Sequence, residues 1–130
     1  MTVYPFPIVD VRTGTVDVKA IQSQNYNSVQ AINATVDPNA TVASNPIDIS
    51  RFKTKTISGY SEFNGTIKIY VATTSDAAAF YPYPYYTASI SSGTTFSFSF
   101  TEAFALVKVE VTNTSTAAGN IVVYATMSVL

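Results

Sequence analysis

Alternating apolar and polar residues run through most of this chain, and their spacing suits strands far better than helices. Because successive side chains of a β-strand point to opposite faces, a segment such as 96–100, Phe-Ser-Phe-Ser-Phe, predicts a strand with one buried face. No segment shows a convincing 3.6-residue repeat. One helical turn is expected at residues 76–79, and Pro82 would stop it. The pattern predicts an all-β fold.

Six strand candidates lie in the second part of the chain, separated by turn-forming residues at intervals of roughly 8 to 12 residues. That spacing is typical of an antiparallel β-sandwich or a barrel. The turn signals include Ser58-Gly59, Asn64-Gly65 and Ser92-Gly93, because Gly and Asn readily adopt the positive φ that many tight turns need. The candidates are residues 52–57, 66–73, 86–90, 94–100, 105–111 and 120–129.

The first part of the chain alternates too, but it holds few large apolar side chains. A hairpin is predicted around Thr13-Gly14, flanked by the apolar positions Val9, Val11, Val16, Val18 and Ala20.

Further strands are expected at residues 29–36 and 41–50, with a turn at residues 37–39, Asp-Pro-Asn, between them. Pro46 removes a backbone donor and confines the second of these strands to a sheet edge. We therefore predict an extended β-rich arm at residues 1–50 and an antiparallel β-sandwich domain, jelly-roll or immunoglobulin-like, at residues 51–130. An arm with so little core of its own is expected to pack on the sandwich or on a neighbouring subunit.

Charge is scarce in this sequence. Charged residues make up 12% of the chain, where about 25% is usual, and the net charge is −1. No extended positive field exists to attract nucleic acid, so no nucleic-acid partner is expected. The surface must instead be covered by hydroxyls, amides and aromatic rings, which is common where proteins meet other proteins or sugars.

The residues that usually perform catalysis are largely missing. The chain has no His and no Cys, which removes the commonest general base and any thiolate nucleophile or ligand. A glycosidase would need two facing carboxylates, but nothing marks a pair, and Asp10 and Asp17 alternate with valines as a solvated strand face would. Asp37, Asp48 and Asp76 offer oxygen ligands for Ca²⁺, although turn formation is the better account. We predict no enzyme, no catalytic residue, no metal site and no cofactor.

Arg51, Lys53 and Lys55 occupy alternate positions, which would place all three on one face of a strand. They could bind a phosphate, a sulfate or an acidic partner. A charged strand face that discourages pairing between sheet edges is the favoured interpretation.

Residues 80–86, Phe-Tyr-Pro-Tyr-Pro-Tyr-Tyr, hold five aromatic rings and two stiffening prolines. So many rings cannot all face one core, and tyrosines on a stiff loop provide contact area at a small entropy cost. Tyr81, Tyr83, Tyr85 and Tyr86 are therefore the candidate partner-binding residues. The alternative is a loop that folds over the open end of the sandwich and caps it.

The start of the sequence has neither a basic region nor a continuous apolar stretch, and no apolar run is long enough to span a membrane. We therefore expect synthesis without a visible signal peptide and no membrane span. A virion or an extracellular particle is the expected location.

Residues 96–124 combine an aromatic strand, the valine-rich segment 105–114 and a closing Ile-Val-Val-Tyr strand at 121–124. This pattern resembles the last strands of jelly-roll and immunoglobulin-like sandwiches in small virion proteins of phages and archaeal viruses, and in carbohydrate-binding modules. The valine-rich ribbon before it is similar to arm segments of viral fibre and decoration proteins. The resemblance implies a homo-oligomer, often a trimer, with a structural role.

The leading hypothesis is thus a self-assembling capsid, decoration or fibre subunit that contacts further copies and other virion or surface proteins. A carbohydrate-binding module that uses the Tyr-rich loop is one alternative. An extracellular filament subunit assembled by donor-strand exchange is another.

Overall fold

The computed structural model describes residues 25–130 and arranges them as nine strands in two antiparallel sheets. The hairpin predicted at residues 9–20 lies outside the described residues. The strands are β1 (Tyr26–Val36), β2 (Thr41–Ala43), β3 (Ile47–Asp48), β4 (Thr54–Ser61), β5 (Gly65–Ala72), β6 (Tyr86–Ile90), β7 (Thr94–Phe100), β8 (Leu106–Asn113) and β9 (Gly119–Ser128).

The strand order identifies the type of sandwich. Sheet A runs β1-β9-β4-β7, and sheet B runs β2-β8-β5-β6 with β3 also paired to β8. Because β2 and β3 pair with successive parts of β8, they share one strand position, which leaves four positions in each sheet. Eight antiparallel positions divided between two sheets are the arrangement of a jelly roll. The predicted antiparallel β-sandwich is confirmed, in its jelly-roll form.

The core lies between the two sheets and consists mainly of aliphatic side chains, with Phe52, Phe63 and Phe100 among them. Alternation places every second residue of the central strands inward. In β9, Ile121 and Val123 are fully buried and Tyr124 faces outward. The buried core residues of β5 and β8 are Ile67, Ile69, Val71, Ala72, Leu106, Val107, Val109 and Val111.

Most of the predicted strands and turns are confirmed. The bounds of β6 and β7 match the prediction to the residue, and a short 3₁₀ helix at Ala77–Ala79 follows Asp76, whose side chain accepts a hydrogen bond from the Ala78 backbone. Positive φ values at Asn39 and Gly93 mark two of the predicted turns.

The turn predicted at Ser58-Gly59 is wrong, because both residues lie inside β4. Glycine is needed there for close approach rather than for a turn. A Cβ atom on Gly59 would lie 2.0 Å from the carbonyl oxygen of Val122 on β9, and 3.0 Å from the ring of Phe96.

The described residues before position 50 take part in both sheets. β1 pairs with β9 along nearly its whole length, and β2 and β3 pair with β8, so residues 26–48 contribute to both sheets. Their few apolar side chains, including Ile32, Val36 and Ile47, enter the same core as the later strands. The partner strands are about 60 to 100 residues away in sequence, which the local pattern could not indicate.

Candidate interaction surfaces

The four candidate tyrosines of the Tyr-rich loop, residues 80–86, differ in how far they are exposed. Tyr81 and Tyr83 project from the surface, with 51% and 80% of their area exposed. Tyr85 and Tyr86 are half-buried and pack against the hydrophobic core. The loop is fixed to β5 by backbone hydrogen bonds from Tyr81 to Val71 and from Tyr85 to Ile69. The loop thus both presents rings and covers part of the core.

Tyr85 sits in a group of aromatic rings at one end of the sandwich. Its ring meets Phe98, Phe100 and Phe104 edge to face, with ring centroids 5.1 to 6.0 Å apart. Its hydroxyl donates a hydrogen bond to the carboxylate of Glu102. Burial, together with this bond, raises the pKa of Tyr85 to about 12, while the same bond lowers the pKa of Glu102. These contacts fit a structural role for Tyr85.

Lys55 lies beside this aromatic group and is only 1% exposed. Its ammonium donates to three backbone carbonyls: Phe52 at 3.3 Å, Lys53 at 3.2 Å and Glu102 at 2.8 Å. Burial lowers the pKa of Lys55, and the nearby Glu102 carboxylate opposes that change.

The charged face predicted for Arg51, Lys53 and Lys55 is therefore wrong for Lys55. β4 begins only at Thr54 and is an inner strand of sheet A, so its odd-numbered positions point into the core. Arg51 and Lys53 precede the strand and are exposed.

The three acidic residues that offer possible Ca²⁺ ligands lie in local turns instead. Asp48 accepts hydrogen bonds from the backbone and the hydroxyl of Ser50, which lower its pKa. Asp76 caps the 3₁₀ helix, and the Asp37 carbonyl accepts from Ala40 across its turn. Between residues 25 and 130, no group of three or more acidic side chains is placed to hold a metal ion. No helix in that range is long and apolar enough to cross a membrane.

The outer face of sheet A carries no charged side chain from its four strands, because Lys55 points inward. Tyr60 and Tyr124 are 48% and 40% exposed there and are diagonal neighbours, since Tyr60 pairs with Val122. Hydroxyl and amide groups surround them, and the Gln30 side chain donates to the Tyr124 hydroxyl at 2.9 Å. The charged strand residues outside the core lie on sheet B, and they include Lys68, Lys108 and Glu110.

The sheet edges differ between the two flanks of the sandwich. On one flank, β1 carries a bulge between Gln30 and Ile32, and β2 and β3 are very short and separated by Pro46. Bulges, short strands and proline are devices that prevent an edge from pairing with another chain. The other flank is formed by β6 and β7, which have continuous register and contain no proline and no charged residue. Between residues 25 and 130, no strand pairs with the outer edge of β6 or of β7.

A narrow apolar cleft opens along the β6–β7 flank, between the two sheets. Its volume is about 80 Å³, and Ile57, Ile67 and Ile69 form its floor. The Ser91–Gly93 turn joins β6 to β7 at one end, and at the other the rings of Tyr86 and Phe98 stack with centroids 3.8 Å apart. The edge-strand residues that line the cleft are Tyr86, Ala88, Ser89, Ile90, Phe96, Ser97 and Phe98.

The sequence interpretation missed this cleft, although it identified both of its strands. The available signal was the composition of β7, whose residues alternate between aromatic and hydroxyl side chains without a single charge. An inner strand flanked by two others shows the same alternation. Only the strand order reveals that β7 is an edge.

Comparisons with known proteins support the fold. No family model and no curated protein matches the sequence. Among solved structures, the PBSX exported protein XepA aligns over 78% of this chain with a TM-score of 0.64 and 10% identity. The chain spans only 37% of the length of XepA. PirA aligns over 75% of this chain and 91% of its own, with a TM-score of 0.52 and 16% identity. Likeness at such low identity establishes a shared β-sandwich fold and nothing more specific.

Proposed function

We propose that this chain is a non-enzymatic, self-assembling structural protein whose copies join through contacts between sheet edges. The observation that carries the proposal is the unprotected β6–β7 flank, since the opposite flank has a bulge, short strands and a proline. An edge without such devices is a template for pairing with another chain. The most fitting setting is a virion, as a capsid, decoration or fibre subunit, or another extracellular particle.

The uncharged outer face of sheet A supports the same function. Protein interfaces are depleted of charge at their centres and enriched in aromatic residues such as Tyr. A face with Tyr60, Tyr124 and a surrounding layer of hydroxyls can pack against a second copy without leaving a charge unpaired. We favour a homo-oligomer, a trimer in particular, on the resemblance to virion proteins.

Sedimentation velocity combined with hydrogen exchange would test assembly through the flank. At micromolar concentration the full chain should sediment as an oligomer, and the outward backbone amides of β6 and β7 should exchange more slowly than in a dilute sample. The amides of β1 next to its bulge serve as the internal control, and their exchange should not depend on concentration. A chain that stays monomeric over the whole concentration range would refute the proposed function.

Carbohydrate binding through the Tyr-rich loop is the second candidate. It is favoured by the exposure of Tyr81 and Tyr83 on a loop that backbone hydrogen bonds hold in place. A glycan array would identify any ligand, and replacing both tyrosines by Ala should abolish its binding. Tyr26→Ala is the matched control, because Tyr26 is 57% exposed and lies on β1 rather than on the loop. Equal loss of binding in the control would exclude the loop as the site.

A further inference from the structure

We propose that β7 pairs with β7 of a second copy, in antiparallel orientation and about a two-fold axis that passes through Ser97. This inference rests on the proposed self-assembly and names the strand, the register and the symmetry of one contact. A trimer would need a different contact in addition, because a two-fold contact joins the same surface of two copies. Three features of β7 support the pairing: its edge, the pattern of its side chains and the cleft beside it.

β7 is the longer of the two edge strands on this flank. It has seven residues against five in β6, and neither strand contains a proline or a charged residue. Between residues 25 and 130, β7 pairs only with β4, so no strand in that range meets the backbone groups along its other side. A row of backbone donors and acceptors can pair with a further strand, and two antiparallel copies would supply such a row to each other.

The side chains of β7 restrict how two copies can pair. Thr95, Ser97 and Ser99 point to the outer face of sheet A, while Phe96 and Phe98 point towards the core. Residues that face each other in an antiparallel pair lie on the same side of the sheet, so outward residues must meet outward residues. Of the registers that satisfy this condition, only one pairs all seven residues, and it places Ser97 opposite Ser97.

That register brings similar side chains together on both faces. On the outer face Thr95 meets Ser99 and Ser97 meets Ser97, so hydroxyl groups lie opposite hydroxyl groups. On the inner face Phe96 meets Phe98, and aromatic pairs are among the favourable contacts across strands. Only the two terminal pairs join a hydroxyl to a ring. β7 is thus complementary to itself, which favours a second copy over a different protein as its partner.

The cleft beside β7 adds an apolar contribution. Phe96 and Phe98 line it and are only half-buried. Because the two-fold axis keeps both inner faces on the same side, the clefts of the two copies would adjoin and cover each other. At about 80 Å³, the cleft is smaller than a cavity of roughly 150 Å³ that holds one benzene molecule. Coverage by a neighbouring copy therefore fits it better than entry of a separate ligand.

A single cysteine on the axis tests the symmetry directly. The chain has no Cys, so Ser97→Cys can form a disulfide only with the same residue of a second copy. Facing residues of antiparallel strands have Cα atoms about 4.5–5.5 Å apart, which is within the range of a disulfide. Mild oxidation of the full chain should therefore convert most of it to a covalent dimer.

Ser99→Cys is the matched control, because it places the same side chain on the same face of β7, two residues further on. In the proposed register the two copies of residue 99 lie about 14 Å apart, too far for a disulfide. Ser99→Cys alone and Thr95→Cys alone should stay unlinked, whereas a mixture of these two chains should cross-link. Equal cross-linking of Ser97→Cys and Ser99→Cys would overturn the register.

Two double variants test the contact without a covalent bond. Thr95→Asp with Ser99→Asp places like charges opposite each other at two sites, and should raise the dissociation constant of the pair roughly tenfold or more. Thr95→Asp with Ser99→Lys changes the same positions but places opposite charges there, and should assemble like the wild type. Circular dichroism should show an unchanged fold for both, because both positions are exposed. Equal assembly of the two variants would contradict the pairing.

The outcomes separate the inference from the proposed function. A wild-type oligomer in which Ser97→Cys forms no disulfide would refute the β7–β7 pairing, because the edge would then meet a different surface or another part of the chain. Self-assembly itself would stand. A wild-type chain that is monomeric at every concentration would refute both.

Discussion

Replacing Lys55 by Met should destabilise the fold by about 2 kcal/mol, a value that follows from the contacts of its ammonium. Of the three carbonyls that it reaches, only that of Glu102 lies at a short distance, 2.8 Å, while the others lie at 3.2 and 3.3 Å. Removing the donor leaves three carbonyls without a partner, which costs roughly 3 kcal/mol. Because desolvation of the charge lowers the pKa of Lys55, methionine regains about 1 kcal/mol of this by burying a chain of similar length without a charge.

Thermal and urea unfolding of Lys55→Met, followed by circular dichroism at neutral pH, would measure this difference. A loss of 2 kcal/mol corresponds to a fall in melting temperature of roughly 6–10 °C for a domain of this size. Lys53→Met is the matched control, because Lys53 is exposed and its loss should change stability by less than about 0.5 kcal/mol. If Lys55→Met proved as stable as the wild type, burial of the ammonium would cost as much as its three bonds contribute, and the reasoning would fail.

Three further substitutions test other parts of the fold. Gly59→Ala should cost about 3 kcal/mol or more in urea unfolding, because its Cβ would lie 2.0 Å from the Val122 carbonyl oxygen. Asn113→Ala should lower the free energy of unfolding by about 3 kcal/mol, because this fully buried amide donates to two carbonyls at 2.9 Å. A loss below about 1 kcal/mol would contradict that role. In the wild type the raised pKa of Tyr85 contributes about 1–2 kcal/mol to the free energy of unfolding after solvent screening. This contribution is present below pH 10 and is lost as the pH rises towards 12. Tyr85→Phe should lack this alkaline loss, which unfolding at a series of pH values would show.

The later strands could be predicted because their signals are local. In β6 and β7, alternation, hydroxyl-rich outer positions and the turn at Gly93 all lie within a few residues, and the predicted bounds match the structure. The antiparallel sandwich followed from the spacing of such segments. The choice of jelly roll over an immunoglobulin-like fold required the strand order, which depends on contacts between distant residues.

The errors at Lys55 and at Ser58-Gly59 share a physical cause. Lysine usually indicates a charged surface and Ser-Gly usually indicates a turn, but in both places the contact with another part of the chain decides the structure. The carbonyl of Glu102, 47 residues later, accepts the buried ammonium, and the approach of β9 explains the glycine. Similarly, Tyr85 is half-buried because its ring contacts Phe98, Phe100 and Phe104, which lie on other segments. The sequence of the loop alone therefore could not distinguish its exposed tyrosines from its half-buried ones.

The placement of β1 and β7 at opposite edges of sheet A has a consequence for symmetry. A contact in which the β7 edge of one copy meets some other surface of the next copy joins two different surfaces, so every bound copy still presents one free surface of each kind. Such head-to-tail contacts form a closed ring when a whole number of equal rotations between copies completes a full turn. They form an open helical filament when it does not. The angle between two joined copies would thus decide whether this jelly roll builds a ring of fixed size or a fibre of indefinite length.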